Sequence, residues 1–341
     1  MHPIFPLSIP GVGMRASLLI LALGLGGGAL HKVDAQSPDL ERLVYRQGHM
    51  GMEVRLVLYA PDRETGVRAA RAAFAKVATL DSLLSSYRSD SQLMRVNRQA
   101  AEQPVPVSYH LFAILERGQD IARRSGGALD VTAGPLIQLW RKARRTRRLP
   151  DPSTLQDAKD RVGWEHLALN EEKQTVVFKR DGMGINLGGV AKGYILGEVR
   201  EVLVEHGLSR VLVEAGGDLV AGAAPPNTPG WTVDIPHRTT EDSSRVITVA
   251  HSAVATSGDA VQYVKIDGTR YSHVINPRTG LGLTAQPTTT VVAPTGILAD
   301  ALATTVGILG VDPGKSLVET YYPCTTVYVS TADSTTVLSR R

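Results

Sequence analysis

Ile185-Asn186-Leu187-Gly188-Gly189-Val190-Ala191-Lys192-Gly193 carries more information than any other stretch of this chain. A short apolar strand enters a glycine pair, and a lysine follows at the head of a helical pattern that runs to His206. Glycine lets the main chain turn sharply and lets a ligand approach it closely. A helix start presents unpaired N–H groups and partial positive charge, to which Lys192 adds a full one. The combination suits an anion such as phosphate or pyrophosphate, the plainer alternative being a strand-to-helix turn with a surface lysine. The spacing departs from a P-loop, because Ala191 precedes the lysine and Gly193 follows it. Gly184, Gly188 and Gly189 likewise miss the dinucleotide-binding offsets.

Working outward, strands at Leu167–Leu169 and Thr175–Lys179 lead into the stretch around the turn Asn170-Glu171-Glu172-Lys173. Downstream, Gly207 sits where a helix-ending glycine belongs. A strand over Arg210–Val213 then runs into Glu214-Ala215-Gly216-Gly217-Asp218, and another leaves through Leu219-Val220. From Trp231 to Val292 the pattern is strand-rich, with Asp267-Gly268 turning a hairpin between Val261–Ile266 and Tyr271–Ile275. Ile297–Leu309 reads as a helix closed by Gly310, and Thr325–Val329 as a late strand. On the upstream side, Val54–Tyr59 is a strand, and Ala70, Ala73, Phe74, Val77, Leu80 and Leu84 repeat at helical spacing. Ser108 caps a further helix, with Leu111, Leu115, Ile121 and Ala122 inward and Gly126-Gly127 as its stop. After Ala128-Leu129-Asp130-Val131-Thr132, the pair Gly134-Pro135 is expected to break any regular element. Strands that pair as hairpins, with helices grouped between them, predict an α+β fold with mixed or antiparallel sheets and packed helices.

The 341 residues carry a net charge of +4, much of it local, since Arg141 to Arg148 holds six basic residues in eight. Such a run reads as a solvated segment. Nucleic-acid binding is set aside, because it calls for a wide basic face with interleaved aromatics and only 5% of residues are aromatic. Cys324 is the only cysteine, which excludes an intrachain disulfide and a multi-cysteine metal site. Residues 1–35 read as a signal peptide: Arg15 precedes the apolar run Leu18–Leu30, and Val33-Asp34-Ala35 gives a small-residue exit. An exported protein on the periplasmic or cell-envelope side is expected, without a lipoprotein anchor because no cysteine lies nearby. Residues 36–47 are expected to be linker, and 336–341 a tail. The domain between, over 48–335, is either single or built from two intertwined sub-domains.

Four further constellations bear on chemistry. Asp300 and Thr304 lie four apart on a predicted helix, so a carboxylate and a hydroxyl share one face. Two hard oxygens at that spacing suit Mg²⁺, the alternative being an acidic residue near a helix start beside a solvent-facing threonine. His273 ends a strand just before the turn Pro277-Arg278-Thr279-Gly280, where an imidazole can serve as general base or simply hold the turn. Gly216-Gly217-Asp218 and Thr256-Ser257-Gly258-Asp259 each read alone as turn chemistry.

Their order says more than any one of them. Met50-Gly51, Ser86-Tyr87 with Ser91 and Asn97, Asp130-Val131-Thr132 with Gly134-Pro135-Leu136, and Gly188–Gly193 come in series. Gly216-Gly217-Asp218, Ala255 to Asp259, His273 with Pro277 to Gly280, and Ala299 to Thr304 complete it. The ordered set resembles the ApbE family of FAD:protein FMN transferases. That resemblance implies an FAD and Mg²⁺ site in a cleft between sub-domains. It further implies transfer of FMN to a threonine of an acceptor protein as a phosphoester, with release of AMP. Carried over residue by residue, Mg²⁺ falls to the Gly189 carbonyl, Asp300 and Thr304. FAD falls to Met50, Tyr87, Ala128, Leu129, Asp130, Asn186, Lys192 and Ile275. His273 matches the base, and Lys192 would neutralise charge as the pyrophosphate splits. The implied acceptors are membrane redox-pump subunits or exported flavoproteins, which would bring the enzyme near a membrane through its partner. Hydrolysis of FAD to FMN and AMP, and non-catalytic flavin binding outside the cytoplasm, remain alternatives. Asn186, Asn276, Met52, Glu214 and Gly197 stand where the family commonly has Asp, Asp, Thr, Asn and Asp.

Overall fold

The computed structural model describes residues 39–236, 245–258, 263–284, 287–331 and 335–338. The expected signal peptide, residues 36–38, Asp259, the start of the Val261 strand and residues 339–341 lie outside these. The chain opens with strands β1 (Glu41–His49) and β2 (Met52–Ala60), then helices α1 (Arg63–Leu84) and α2 (Gln92–Gln99). Strand β3 (Val105–Pro106) precedes helices α3 (Tyr109–Ser125), α4 (Gly134–Thr146) and α5 (Pro152–Lys159). Strands β4 (Leu167–Asn170) and β5 (Thr175–Phe178) lead to helix α6 (Ala191–Glu205). Five strands come next: β6 (Val211–Ala215), β7 (Asp218–Ala221), β8 (Trp231–Ile235), β9 (Arg245–Val249) and β10 (Ser252–Ser257). After β11 (Tyr263–Ile266), β12 (Thr269–Ser272) and β13 (Thr288–Ala293) come helices α7 (Gly296–Leu309) and α8 (Val311–Tyr321). Strands β14 (Thr326–Ser330) and β15 (Thr335–Leu338) close the described chain.

Eight strands pair antiparallel in the order β1-β2-β6-β7-β10-β13-β14-β15. Successive side chains of a strand face opposite sides, and here both sides are covered. Val54, Leu56, Leu58, Val213, Ala215, Val220, Ala255 and Val291 join the main core with α1, α6 and α7. Val57, Leu212, Leu219 and Val254 point the other way, under Trp231 and Val249 of the β8–β9 hairpin. Double coverage makes these strands read as near-continuous apolar runs instead of alternating ones. A third, smaller core gathers Leu136 and Trp140 of α4, Ala158 of α5, and Ile266 and Ile275 around the β11–β12 hairpin. Trp140 Nε1 donates to the Ser272 carbonyl at 3.1 Å and ties that core together. The α+β class expected from the sequence is the class observed.

Several boundaries differ from expectation, each for a local reason. Residues 41–47 are not linker: β1 pairs along its whole length with β2, from Glu41–Ala60 to His49–Met52. Residues 336–338 are not tail, because β15 pairs with β14 from Ser330–Thr335 to Val327–Leu338. Gly134-Pro135 does not break the chain but starts α4, because proline in a first helical turn gives up an N–H that has no partner there. The basic run therefore sits on the last turns of α4 and just beyond them, with Arg147 in the left-handed conformation at φ 54°. The β11–β12 hairpin ends at Ser272, not Ile275, and Asp267 and Gly268 both take positive φ, as a tight hairpin turn requires.

Candidate active site

The glycine stretch works by letting two helix starts touch. A Cβ on Gly193 would sit 2.7 Å from Asp300 Cβ and closer still to the Gly296 carbonyl, so only glycine permits this approach of α6 to α7. At the contact, the Gly193 N–H donates to Asp300 Oδ2 at 2.9 Å. One turn further along α7, Thr304 lies against Gly189: a Cβ there would be 3.5 Å from Thr304 Oγ1 and 3.1 Å from Leu129 Cδ1. Leu129, Gly189 and the α7 residues Asp300 and Thr304, from three distant parts of the sequence, thus come close together.

Lys192, on the first turn of α6, forms an ion pair with Asp218 at 2.8 Å (Nζ–Oδ2). The Gly216-Gly217 turn places that carboxylate at the start of β7, and Asp218 Oδ1 also accepts from the Thr256 N–H at 3.1 Å. The same turn lies against Met52 and the Lys192 side chain. Burial pushes the Asp218 carboxyl up, against the pull of Lys192. Burial and the neighbouring Asp218 together push Asp300 up to about 7, despite Lys192 and the α6 N–H groups. Burial draws the Lys192 ammonium down, but Asp218 and Asp300 outweigh it, so its pKa is raised and it stays charged. Two buried carboxylates face one half-buried cation. This deficit of positive charge, with hard oxygens on Asp300 and Thr304, fits a small divalent cation that keeps positions for water and phosphate. Among the described residues no group of three or more His, Cys, Asp or Glu could hold a metal by side chains alone. Any metal here therefore depends on hydroxyl and main-chain oxygens as well.

Around this centre, Asn97 holds the segment that enters it, which is not the strand expected from the sequence: only an isolated bridge, Ala133–Gly184, forms there. Its Oδ1 accepts from the Ile185 N–H at 2.7 Å, and its Nδ2 donates to the Ile185 carbonyl at 3.0 Å. Asn186 Oδ1 accepts from the Gly188 N–H at 3.0 Å and shapes the turn. Asp130 is engaged within the protein: Oδ1 accepts from the Thr132 N–H and hydroxyl, both at 2.7 Å, and Oδ2 from the Trp164 N–H at 3.1 Å. Burial raises its pKa while these donors hold it back. Its carboxylate fastens the 128–132 loop rather than projecting free charge.

The remaining expected residues occupy the surroundings. Met50, at φ 53°, lies in the β1–β2 turn and packs on the main core. Ala128 is buried and lines a cavity of about 620 Å³ with Gly126, Asn276, Arg278 and Tyr321. The Ile275 side chain belongs to the α4–α5 core, which leaves its main chain as the part able to meet a ligand. His273 is half-buried between β12 and the Ile275–Gly282 bridge. The next turn reaches back to the Ala128 loop, where Arg278 Nη2 donates to the Gly126 carbonyl at 3.2 Å. Tyr87 is 83% exposed, with Arg141 Nη2 donating to its hydroxyl at 3.1 Å and the guanidinium 4.7 Å from its ring centre.

Sequence reasoning missed Asp218 as the partner of Lys192, and Arg141 as the partner of Tyr87. The first had a signal, a carboxylate directly after a glycine pair, but nothing local says which cation it meets. The divergent positions settle without conflict. Glu214 pairs with Arg55 across the β2–β6 ladder, Asn276 Oδ1 accepts from the Arg278 N–H at 2.9 Å, and Gly197 faces open space.

Comparison with known proteins bears on the family and the fold. The model of the ApbE family matches residues 50–328. An FAD:protein FMN transferase of Treponema pallidum is 33% identical over 270 residues, covering 73% of this chain and 75% of that protein. One from Escherichia coli K12 is 31% identical, covering 70% of each. Among solved structures, the flavin transferase ApbE from Vibrio cholerae superimposes with a TM-score of 0.76 at 26% identity, over 87% of this chain and 96% of that one. The flavinyl transferase ApbE of Pseudomonas stutzeri gives 0.78 at 24% identity, over 89% and 95%, and speaks to the fold. With the match spanning the β1–β2 turn, the glycine stretch and α7 alike, this chain belongs to the ApbE family.

Proposed function

We propose that this protein is an FAD:protein FMN transferase that joins the FMN half of FAD to a threonine of an acceptor protein. The observation that carries the reading is the buried Asp300–Gly193–Lys192–Asp218 cluster at the adjoining starts of α6 and α7. It is a site short of positive charge beside helix N–H groups, which suits a pyrophosphate brought in with a cation. In the reaction the threonine Oγ forms a bond to the phosphorus of the FMN half, and the P–O bond to the AMP half breaks. The bonding pair leaves with AMP, and the threonine proton passes to a ring nitrogen of His273. Lys192, oriented by Asp218 and kept charged by it, faces the charge that develops on the leaving phosphate. Asp300, Thr304 Oγ1 and the Gly189 carbonyl would hold Mg²⁺, which when bound supplies charge neutralisation along the pyrophosphate.

His273→Ala separates this role from a merely structural one. FAD binding and melting should stay near the parent values, while transfer falls roughly 10²–10⁴-fold, the usual effect of losing a positioned base. Full transfer by a folded variant would remove His273 from the mechanism. The acceptor reading comes from the family resemblance, and export is compatible with it. The Leu18–Leu30 segment would place the enzyme in the periplasm or cell envelope, facing redox-pump subunits or exported flavoproteins. N-terminal sequencing of the exported chain should begin near Gln36, and a mature chain that retains Leu18–Leu30 would mean a membrane anchor instead.

A further inference from the structure

The basic run has no place in the chemistry above, yet it packs six basic residues into eight positions. Its six cations exceed the net charge of the whole chain, +4, so the rest of the protein is close to balanced. Among the described residues Arg144, Arg145, Arg147 and Arg148 form no ion pair, although acidic side chains neutralise many other arginines of the surface. Arg145, Arg147 and Arg148 are exposed, and Arg147 occupies a left-handed position where glycine would be the unstrained residue. Cations near a helix C-terminus are favourable, but that effect fades within the last turn and leaves Arg147 and Arg148 unexplained.

The run meets two residues expected at or beside the site. Arg141, at its head, stacks on and donates to Tyr87, an expected flavin contact. Lys142 lines a groove of about 440 Å³ with Arg98, Arg161, Met94 and Asn97, and Asn97 holds Ile185 at the head of the glycine stretch. This partly cationic groove runs along α4 between Pro135 and Lys142 and reaches Gly184, just before the glycine stretch. We infer that the face formed by Arg144, Arg145, Arg148 and the Lys142 groove docks an acidic segment of the acceptor protein beside its threonine. This rests on the transferase reading, which requires a protein to arrive next to Tyr87. A membrane surface would meet the same charges, but continuity with Tyr87 and with the Asn97 groove favours a partner that enters the site.

The test uses two fluorescein-labelled peptides of the same length, each with one central threonine, flanked either by Asp and Glu or by Asn and Gln. At low salt the parent should bind the acidic peptide about tenfold more tightly, and the preference should collapse at high salt. The triple variant Arg144→Gln, Arg145→Gln, Arg148→Gln should lose it at every salt concentration while FAD binding and melting stay as in the parent. The single Arg148→Glu, beyond the helix end, should lose part of it and covers the case in which the triple variant folds poorly. With FAD and Mg²⁺ present, the triple variant should show a higher KM for the acidic peptide at unchanged kcat. Equal binding of the acidic peptide by parent and variant overturns the inference. So does retained peptide binding with loss only of adsorption to phosphatidylglycerol–phosphatidylcholine vesicles, which would assign the face to a membrane. If the peptide preference behaves as expected but neither peptide ever acquires FMN, the docking face stands and the transferase reading fails.

Discussion

Asp300 is a buried carboxylate whose desolvation costs the fold, and in the proposed reaction it would hold Mg²⁺. It is buried beside another carboxylate, with one lysine between them and the Gly193 N–H donating to its Oδ2. Asp300→Asn keeps an acceptor for the Gly193 N–H while removing a desolvated charge, so the ligand-free variant should melt at or above the parent temperature. The parent should gain roughly 2–3 kcal/mol when FAD and Mg²⁺ are supplied at about 100 times their dissociation constant. The variant should gain little, and its transfer should fall at least about 10²-fold. Calorimetric melting with and without FAD and Mg²⁺, and normal turnover at low Mg²⁺ as the contrary outcome, decide whether Asp300 is a ligand. His110 offers a second residue-scale check, away from the centre. Burial lowers its pKa below the ordinary value, although Glu198 pulls the other way, and its Nδ1 lies 2.8 Å from the Tyr194 hydroxyl. The unfolded chain, with a histidine pKa of about 6.5, takes up the proton first as pH falls. Stability should therefore decrease as pH drops from about 6.5 through the lowered folded value. His110→Gln should flatten that part of the melting-temperature profile, and parallel profiles would contradict the assignment.

At the scale of elements, two glycines of α6 separate close packing from mere helix propensity. Gly193→Ala drives a methyl into α7 at Gly296 and Asp300, and should cost roughly 1–3 kcal/mol by overpacking, with loss of transfer. Gly197→Ala meets open space on the same helix and should stabilise by up to about 1 kcal/mol. Urea melts of the two variants check both, and equal effects would mean that α6 and α7 are not in backbone contact. The same pair shows what is legible in the sequence. That a helix begins at the glycine stretch can be read from periodicity and from Gly207. That Gly193 admits α7 cannot, because Asp300 lies 107 residues on and leaves no local trace. Likewise α4 is obscured by Gly134-Pro135, which locally signals a break as readily as a start, and only the burial of Leu136 and Trp140 decides between them. β1 escapes sequence reading because its side chains are mostly exposed, with Leu43 alone deeply buried, so it lacks the alternation that marks a strand.

Over the whole molecule, an eight-stranded antiparallel sheet covered on both faces holds the starts of α6 and α7 and the 216–218 turn in one place. The α+β class is readable from hairpin signals, and motif order singles out Lys192, Asp300 and Thr304, which the fold brings near one another as candidates. The arrangement of strands is not, since β1 and β15 lie at opposite edges and antiparallel order across long connections is set by packing alone. Function at this scale depends on a second protein reaching the site from outside. Purified parent and Asp300→Ala proteins should each be incubated with FAD, Mg²⁺ and a cell-envelope extract, followed by tandem mass spectrometry of flavin-bearing peptides and measurement of AMP. Transfer requires FMN on a threonine side chain of an extract protein, one AMP for each FMN attached, and neither product with the variant. FMN appearing free in solution with AMP while no peptide gains it, or labelling undiminished by Asp300→Ala, would contradict it.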